Sequence, residues 1–173
     1  MQRTLFVLML AALALTGGSV GAQVIVPPDF VTGGGYIFGT PSGARGNFGV
    51  GGGVKNGAFG GHLNYIDHDS DLHVKATSIT GYVFVDPQTR SICGTYATNT
   101  GETGSFLVTV TDMGEPDGDD IFEITLVESD YSAAGDLGGP GPGGGNIRLH
   151  GSNPSNTPPT EGVCPDDGNG IPV

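Results

Sequence analysis

The feature that most constrains this chain is a rhythm. Short runs rich in Val, Ile, Thr, Tyr and Phe recur along its 173 residues, separated by glycines and tight-turn residues. Branched and aromatic side chains pack well on a pleated surface, so such runs are strand material. They fall at 29–39, 47–55, 59–67, 72–85, 91–98, 104–111, 121–127 and 146–150. Between them lie Thr40-Pro41-Ser42-Gly43, Asp69-Ser70-Asp71, Asp86-Pro87-Gln88 and Asn99-Thr100-Gly101-Glu102, whose residues favour turns. No amphipathic helix of useful length interrupts the series. The expected fold is all-β, a single antiparallel β-barrel or β-sandwich of about eight strands.

Glycine is abundant, at 33 residues, but follows no Gly-X-Y period, which excludes a collagen-like chain. Gly33-Gly34-Gly35 and Gly51-Gly52-Gly53 sit inside strand runs, where glycine weakens the ladder unless something approaches the backbone closely. Two packing reasons suggest themselves. One is the coiling of a small barrel. The other is an aromatic ring, from Tyr36, Phe48, Phe59 or Tyr65, lying over the bare backbone.

The N-terminus has the layout of a secretory signal peptide. Met1-Gln2-Arg3 is followed by an uncharged Leu/Ala-rich run to Thr16 and then by small residues ending in Val20-Gly21-Ala22. The apolar run, about 13 residues, is short of the roughly 20 that cross a bilayer, and no later stretch approaches that length. The chain therefore divides into a signal at 1–22, a β domain at 23–150 and a tail at 151–173 rich in Pro, Asn and acidic residues. A secreted protein, extracellular or periplasmic, is expected, with no transmembrane segment in the mature chain; its partner is unknown, and an extracellular or envelope one is left open.

Six basic residues face 18 acidic ones, a formal charge of −12, and removing the leader takes Arg3 away as well. Such a surface repels phosphate backbones and anionic membranes, so no nucleic-acid partner is expected. The two cysteines, Cys93 and Cys164, form an isolated pair that an oxidising compartment would join as one disulfide. That bond closes a loop of about 70 residues and stabilises the fold by roughly 4 kcal/mol. No CxxC spacing points to redox chemistry.

The densest collection of functional groups is Gly61-His62-Leu63-Asn64-Tyr65-Ile66-Asp67-His68. If Asp67 pairs with Leu72 across the following turn, one face of the hairpin holds Leu63, Tyr65, Leu72, Val74 and Ala76 and is core. The other face holds His62, Asn64, Ile66, His68, His73, Lys75 and Thr77. The polar-site candidates are His62, Asn64, His68 and Lys75, with His150 at the end of the last run. His62 and His68 lie roughly 20 Å apart along a strand and cannot share a zinc ion. His68 and His73 are diagonal neighbours at roughly 7–8 Å, within reach of a shared metal. The alternative is a solvated face with cross-strand bonds such as Asn64 to Lys75.

A second cluster runs from Asp112 to Asp120. Asp112, Glu115, Asp117 and Asp119, with Gly and Pro for tight turning, form either an exposed acidic turn or a calcium site. Calcium is the sole cofactor suggested, and the spacing is not that of an EF-hand. Catalytic patterns fail on context. Gly17-Gly18-Ser19-Val20-Gly21 lies in the signal, and Gly139, Gly141 and Gly144 have prolines between them and no helix after them. No catalytic residue is assigned, and without tryptophan a sugar-stacking platform would rest on Tyr and Phe alone.

An ordered set of short segments carries a family resemblance: Val31-Thr32-Gly33-Gly34-Gly35-Tyr36-Ile37, Asn47-Phe48-Gly49, Gly61-His62-Leu63-Asn64-Tyr65, Asp67-His68, Val74-Lys75, Val110-Thr111-Asp112, Gly114-Glu115-Pro116, Gly118-Asp119 and Gly145-Asn146-Ile147-Arg148-Leu149-His150. Together they resemble the small domain of bacterial exported proteins that follows choice-of-anchor P modules, over about 29–150. The resemblance implies a cell-surface or secreted setting and no established activity. The chain departs from it by lacking an anchor module or sorting segment, which favours free secretion. Met113 stands where an Asn is usual, which removes one oxygen ligand from the calcium alternative. The first and last segments bracket the domain, so they are expected to lie together.

Two functions follow from different premises. One is a non-catalytic exported domain with a structural or binding role. The other is a small secreted enzyme, a hydrolase or isomerase, using a polar barrel interior around His62, Asn64 and Lys75. A pocket of several hundred Å³ lined by these groups would favour an enzyme or ligand carrier. A filled interior would favour the structural role.

Overall fold

The computed structural model describes residues 27–114, 119–137, 143–152 and Cys164. The proposed signal and most of the tail lie outside the described residues. Among the described residues nine strands follow in chain order: β1 (Phe30–Ile37), β2 (Gly46–Lys55), β3 (Ala58–Asp67), β4 (Leu72–Phe84), β5 (Thr89–Thr98), β6 (Thr103–Thr111), β7 (Ile121–Leu126), β8 (Tyr131–Asp136) and β9 (Gly144–His150). A single 3-10 turn, Val127–Ser129, separates β7 from β8. The expected runs are recovered as strands. β8 is the addition: Tyr-Ser-Ala-Ala-Gly-Asp holds one aromatic and no branched residue, so composition does not announce it.

Each strand from β1 to β8 pairs antiparallel with the next, and β9 returns to the free side of β1. That last pairing runs from Phe30↔His150 to Tyr36↔Gly144, so the first and last segments do lie together. The Asn56-Gly57 turn between β2 and β3 has both residues at positive φ, the two-residue geometry that matches strand twist. Ala134 of β8 donates its N–H to Gly39 O, just past the end of β1, at 3.0 Å. β8 thus meets the chain just beyond β1, while β9 lines β1 itself. The sheet is nearly closed into a barrel.

The far edge of β9 is closed by side chains. Its Ile147 N–H donates to Asp120 Oδ2 at 2.6 Å and its Leu149 N–H to Asp112 Oδ2 at 2.7 Å. The other oxygens of the two carboxylates accept from Met113 N–H and Gly114 N–H, both at 2.9 Å. Two carboxylates do for this edge what a neighbouring strand would otherwise do.

Alternate residues point inward and fill the barrel. Tyr65, Tyr82, Tyr96, Phe106, Phe122, Ile92 and Ile124 are all buried, and Phe48 stacks on Phe122 with ring centroids 3.8 Å apart. Polar networks sit at the two ends. At the end where β1 finishes, Asp67 accepts from Ser42 Oγ and from Tyr131 Oη (2.9 Å), and Tyr65 donates to Tyr131 at 2.8 Å. Burial, with the Asp67 charge against the bond to Tyr131, pushes the Tyr65 phenol up to about 12. Burial also works against the Asp67 charge, but bonds from Ser42, Tyr131, Ser70 and the Asp69 backbone outweigh it and hold the carboxyl below its usual range. At the opposite end Arg90 forms a forked pair with Asp29 (2.6 and 3.3 Å) and Tyr82 donates to the same carboxylate at 2.8 Å. Arg90 also donates to the carbonyls of Asp86 and Thr89 and lies 4.9 Å over the Phe84 ring. A buried guanidinium requires that degree of pairing.

Cys93 and Cys164 are joined, with Cα atoms 5.4 Å apart. Cys93 points outward from β5, and the bond brings Cys164 onto Val83 and Leu107 in a small apolar cluster outside the barrel. Gly81 makes the room: a Cβ there would stand 2.6 Å from Cys93 Sγ and 2.9 Å from Cys164 Sγ.

Candidate binding face

The β3–β4 hairpin has the expected register, with Asp67↔Leu72, Tyr65↔Val74 and Asn64↔Lys75. Leu63, Tyr65 and Val74 are buried, whereas His62, Asn64, His68, His73 and Lys75 are exposed. The regular register ends at Asn64↔Lys75, where β4 approaches an irregularity between Ala76 and Ser78, so the β3–β4 ladder does not extend to His62 and Thr77. The enzymatic alternative placed His62, Asn64 and Lys75 around a polar barrel interior. They stand instead on the outer surface, because the period of two that buries Leu63 and Tyr65 turns their neighbours outward.

That surface continues across the neighbouring strands, and the ladder registers define its rows. One row is His150, Phe30, Gly53 and Gly60. The next is Arg148, Thr32, Gly51 and His62. The third is Asn146, Gly34, Gly49, Asn64 and, through β4, Lys75. The result is a face whose centre is paved by glycine and whose margins carry the longer side chains. A trough of about 530 Å³ opens over one end of it, with Phe30, Thr32, Gly51, Lys55, Gly60 and His62 among its lining residues, and the third row lies beyond its rim. Of the three residues in the enzymatic alternative, His62 alone reaches this trough. His150 is tied down at its border: its ring stacks on Phe30 at 4.3 Å and its Nε2 lies 2.8 Å from Thr32 Oγ1. His68 bonds Asn47 at 3.1 Å, and His73 lies 3.3 Å from Asp71.

The glycines divide into two kinds. Some are required by the fold. A Cβ at Gly52 would press into Ile92 at 2.8 Å, one at Gly53 would strike Phe30 at 2.4 Å, and Gly61 has φ +156°. For these, close packing is the reason, but the neighbours are Ile92, Phe30 and the Gly51 backbone and not the rings of Tyr36, Phe48, Phe59 or Tyr65. Others have no such reason. A Cβ at Gly49 or Gly60 meets nothing within 4 Å, and at Gly34 the nearest atom is 3.6 Å away. All three face outward and lie outside the positive-φ region.

Charge is distributed as unevenly. Five Lys or Arg residues lie among the described residues. Arg90 is inside the barrel, and the other four, Arg45, Lys55, Lys75 and Arg148, are exposed around this one face. Arg45 sits 5.4 Å over the ring of Tyr36 in β1. The strands β9, β1, β2, β3 and β4 contain one carboxylate between them, the buried Asp67. A second hollow, of about 420 Å³ beside Leu107, Thr109 and Glu123 on the far side of the barrel, has no cation in its lining.

The acidic cluster is only partly described. Asp112 and Asp120 are engaged with backbone N–H groups as above, and Asp119 is exposed. Glu115 and Asp117 lie outside the described residues. A calcium ion here would compete with Leu149 and Gly114 N–H for Asp112. Among the described residues no three His, Cys, Asp or Glu side chains gather as a metal site. Among them, too, no helix is long and apolar enough to cross a membrane. Comparison of the chain with protein-family models, curated proteins and solved structures returned no match.

Proposed function

We propose that this chain is an exported, non-catalytic β domain of the kind that follows choice-of-anchor P modules, and that it binds a ligand outside the cell. The ligand-binding surface is the outer face of β9, β1, β2, β3 and β4. Export is supported by the leader-like residues 1–22 and by the Cys93–Cys164 bond, which belongs in an oxidising compartment.

The observation that carries the binding role is the set of outward glycines that the fold does not require. Glycine inside a strand costs about 0.5–1 kcal/mol relative to alanine through backbone entropy. At Gly34, Gly49 and Gly60 that cost is incurred although a side chain would fit. Glycine then marks a place where another molecule approaches the backbone closely. The enzymatic alternative would need His62, Asn64 and Lys75 around an enclosed space, and they stand on an open face.

Gly49→Thr tests this. Threonine suits a strand, so the variant should melt at the same temperature as the wild type or a few degrees higher, consistent with a gain of about 0.5–1 kcal/mol. It should no longer co-sediment with the extracellular-polymer and envelope fraction of producing cells. Co-sedimentation equal to that of the wild type, for Gly49→Thr and Gly60→Thr alike, would remove the proposal.

A further inference from the structure

We infer that the occupant of this face is an anionic polysaccharide, an inference that rests on the binding role just proposed. Its first support is charge complementarity. On a chain with 18 acidic and six basic residues, the four exposed described cations border one face, whose strands send no carboxylate outward. Of the nearby acids, Asp29 is engaged with Arg90 and Tyr82, Asp67 with Ser42 and Tyr131, and Asp112 and Asp120 with backbone N–H groups, while Asp69, Asp71 and Asp86 stand exposed in the turns at the two ends of β4. Such a field turns this face toward an anion.

The spacing of the cations selects a polymer. Arg148 and Lys75 occupy the outer strands of five, roughly 19 Å apart measured along the curved sheet at about 4.8 Å per strand. A single small anion cannot meet both. A chain with one negative group on each repeating unit can.

The surface between the cations selects sugar over other polyanions. The inner strands β1, β2 and β3 are paired on both sides, so the face cannot accept a peptide as an added strand. A nucleic acid would bring a dense phosphate array against four cations and a strongly acidic remainder. A membrane would meet a recess, with Phe30 the one large exposed hydrophobic residue on these five strands. A sugar ring can lie flat on the open backbone at Gly60, beside Phe30 and His62, which themselves cover Gly53 and Gly51. Phe30, 40% exposed and lining the trough, offers an apolar ring to its C–H face, and the His150 stack holds that ring in place. Asn64 and Thr32 flank the glycine floor as partners for hydroxyl groups.

Affinity electrophoresis of the purified protein, with chelator present, tests this using polygalacturonate, hyaluronate, uncharged dextran and poly-glutamate as probes. The anionic glycans should retard the protein at low salt and release it as salt rises. Uncharged dextran should not retard it. Lys75→Glu with Arg148→Glu, both exposed positions, should weaken the glycan interaction about tenfold or more. Phe30→Ala should weaken binding to polygalacturonate several-fold, and any residual retardation by poly-glutamate should not change. Failure of both anionic glycans, or equal retardation by poly-glutamate, overturns the inference. If that happens while envelope co-sedimentation remains sensitive to Gly49→Thr, the binding face stands and only its occupant is wrong. Loss of that sensitivity removes the binding face itself.

Discussion

Replacing Asp120 with alanine should be among the more damaging single changes in this barrel, although the residue lies in a turn. Its side chain is 2% exposed, and its two oxygens accept from Ile147 N–H in β9 and from Met113 N–H. Hydrogen bonds to charged acceptors contribute about 1.5–3 kcal/mol each. The Ile147 bond is buried, so its loss belongs at the upper end. Met113 is 48% exposed, so water can replace much of the second bond. The expected cost is therefore about 3–4 kcal/mol, which lowers the melting temperature of a chain this size by on the order of 10 °C. Asp120→Asn should fall between wild type and alanine, because one amide oxygen can serve one N–H while the amide nitrogen faces the other. Asp120 also accepts from Leu137 N–H through its backbone carbonyl, and that bond survives both substitutions. The assay is thermal melting combined with amide hydrogen exchange, in which Ile147 should lose protection in the alanine variant. A melting temperature within about 2 °C of wild type, with Ile147 still protected, would refute the idea that a carboxylate closes the edge of β9.

Other expectations follow from the polar ends and the staple. Asp29→Ala leaves the Arg90 guanidinium buried without its carboxylate and should cost about 3–5 kcal/mol in chemical denaturation, whereas Asp29→Leu combined with Arg90→Met should recover most of the loss. Asp67 has a carboxyl held below its usual range when folded, so its stabilising contribution is present above an unfolded value of about 3.9 and is lost as pH falls through the folded one. Acid titration of stability should therefore steepen below about pH 4, and Asp67→Asn should flatten that limb. Reduction of Cys93–Cys164, which spans 71 residues, should lower stability by up to about 4 kcal/mol in a denaturant melt run with and without reductant.

By itself the sequence determined the class of fold, the positions of eight of the nine described strands and the faces of the central hairpin. Those features are local: the alternation Leu63, Tyr65 against His62, Asn64 is readable because strand side chains repeat every two residues. The Asp67↔Leu72 register was legible because a short turn leaves few ways to pair. The pairing of the first and last segments was also foreseen, from the order in which the segments resembling one family bracket the chain. β8 was not legible, because Tyr131–Asp136 gains its place from partners on β7 and beside Gly39 more than from its own composition.

Tertiary structure decided what the polar groups are for. Asp112 read equally well as a calcium ligand or as part of an exposed turn, and only the return of β9 shows it accepting from Leu149. Alternation puts Gly49 and Gly53 on the same outer face, yet a Cβ at one meets nothing within 4 Å and at the other would strike Phe30, because their environments come from other strands. Arg45, Lys55, Lys75 and Arg148 are scattered over more than one hundred residues and gather around one face only when five strands lie side by side. Strand formation is governed by neighbours in sequence, and a binding face by neighbours in space.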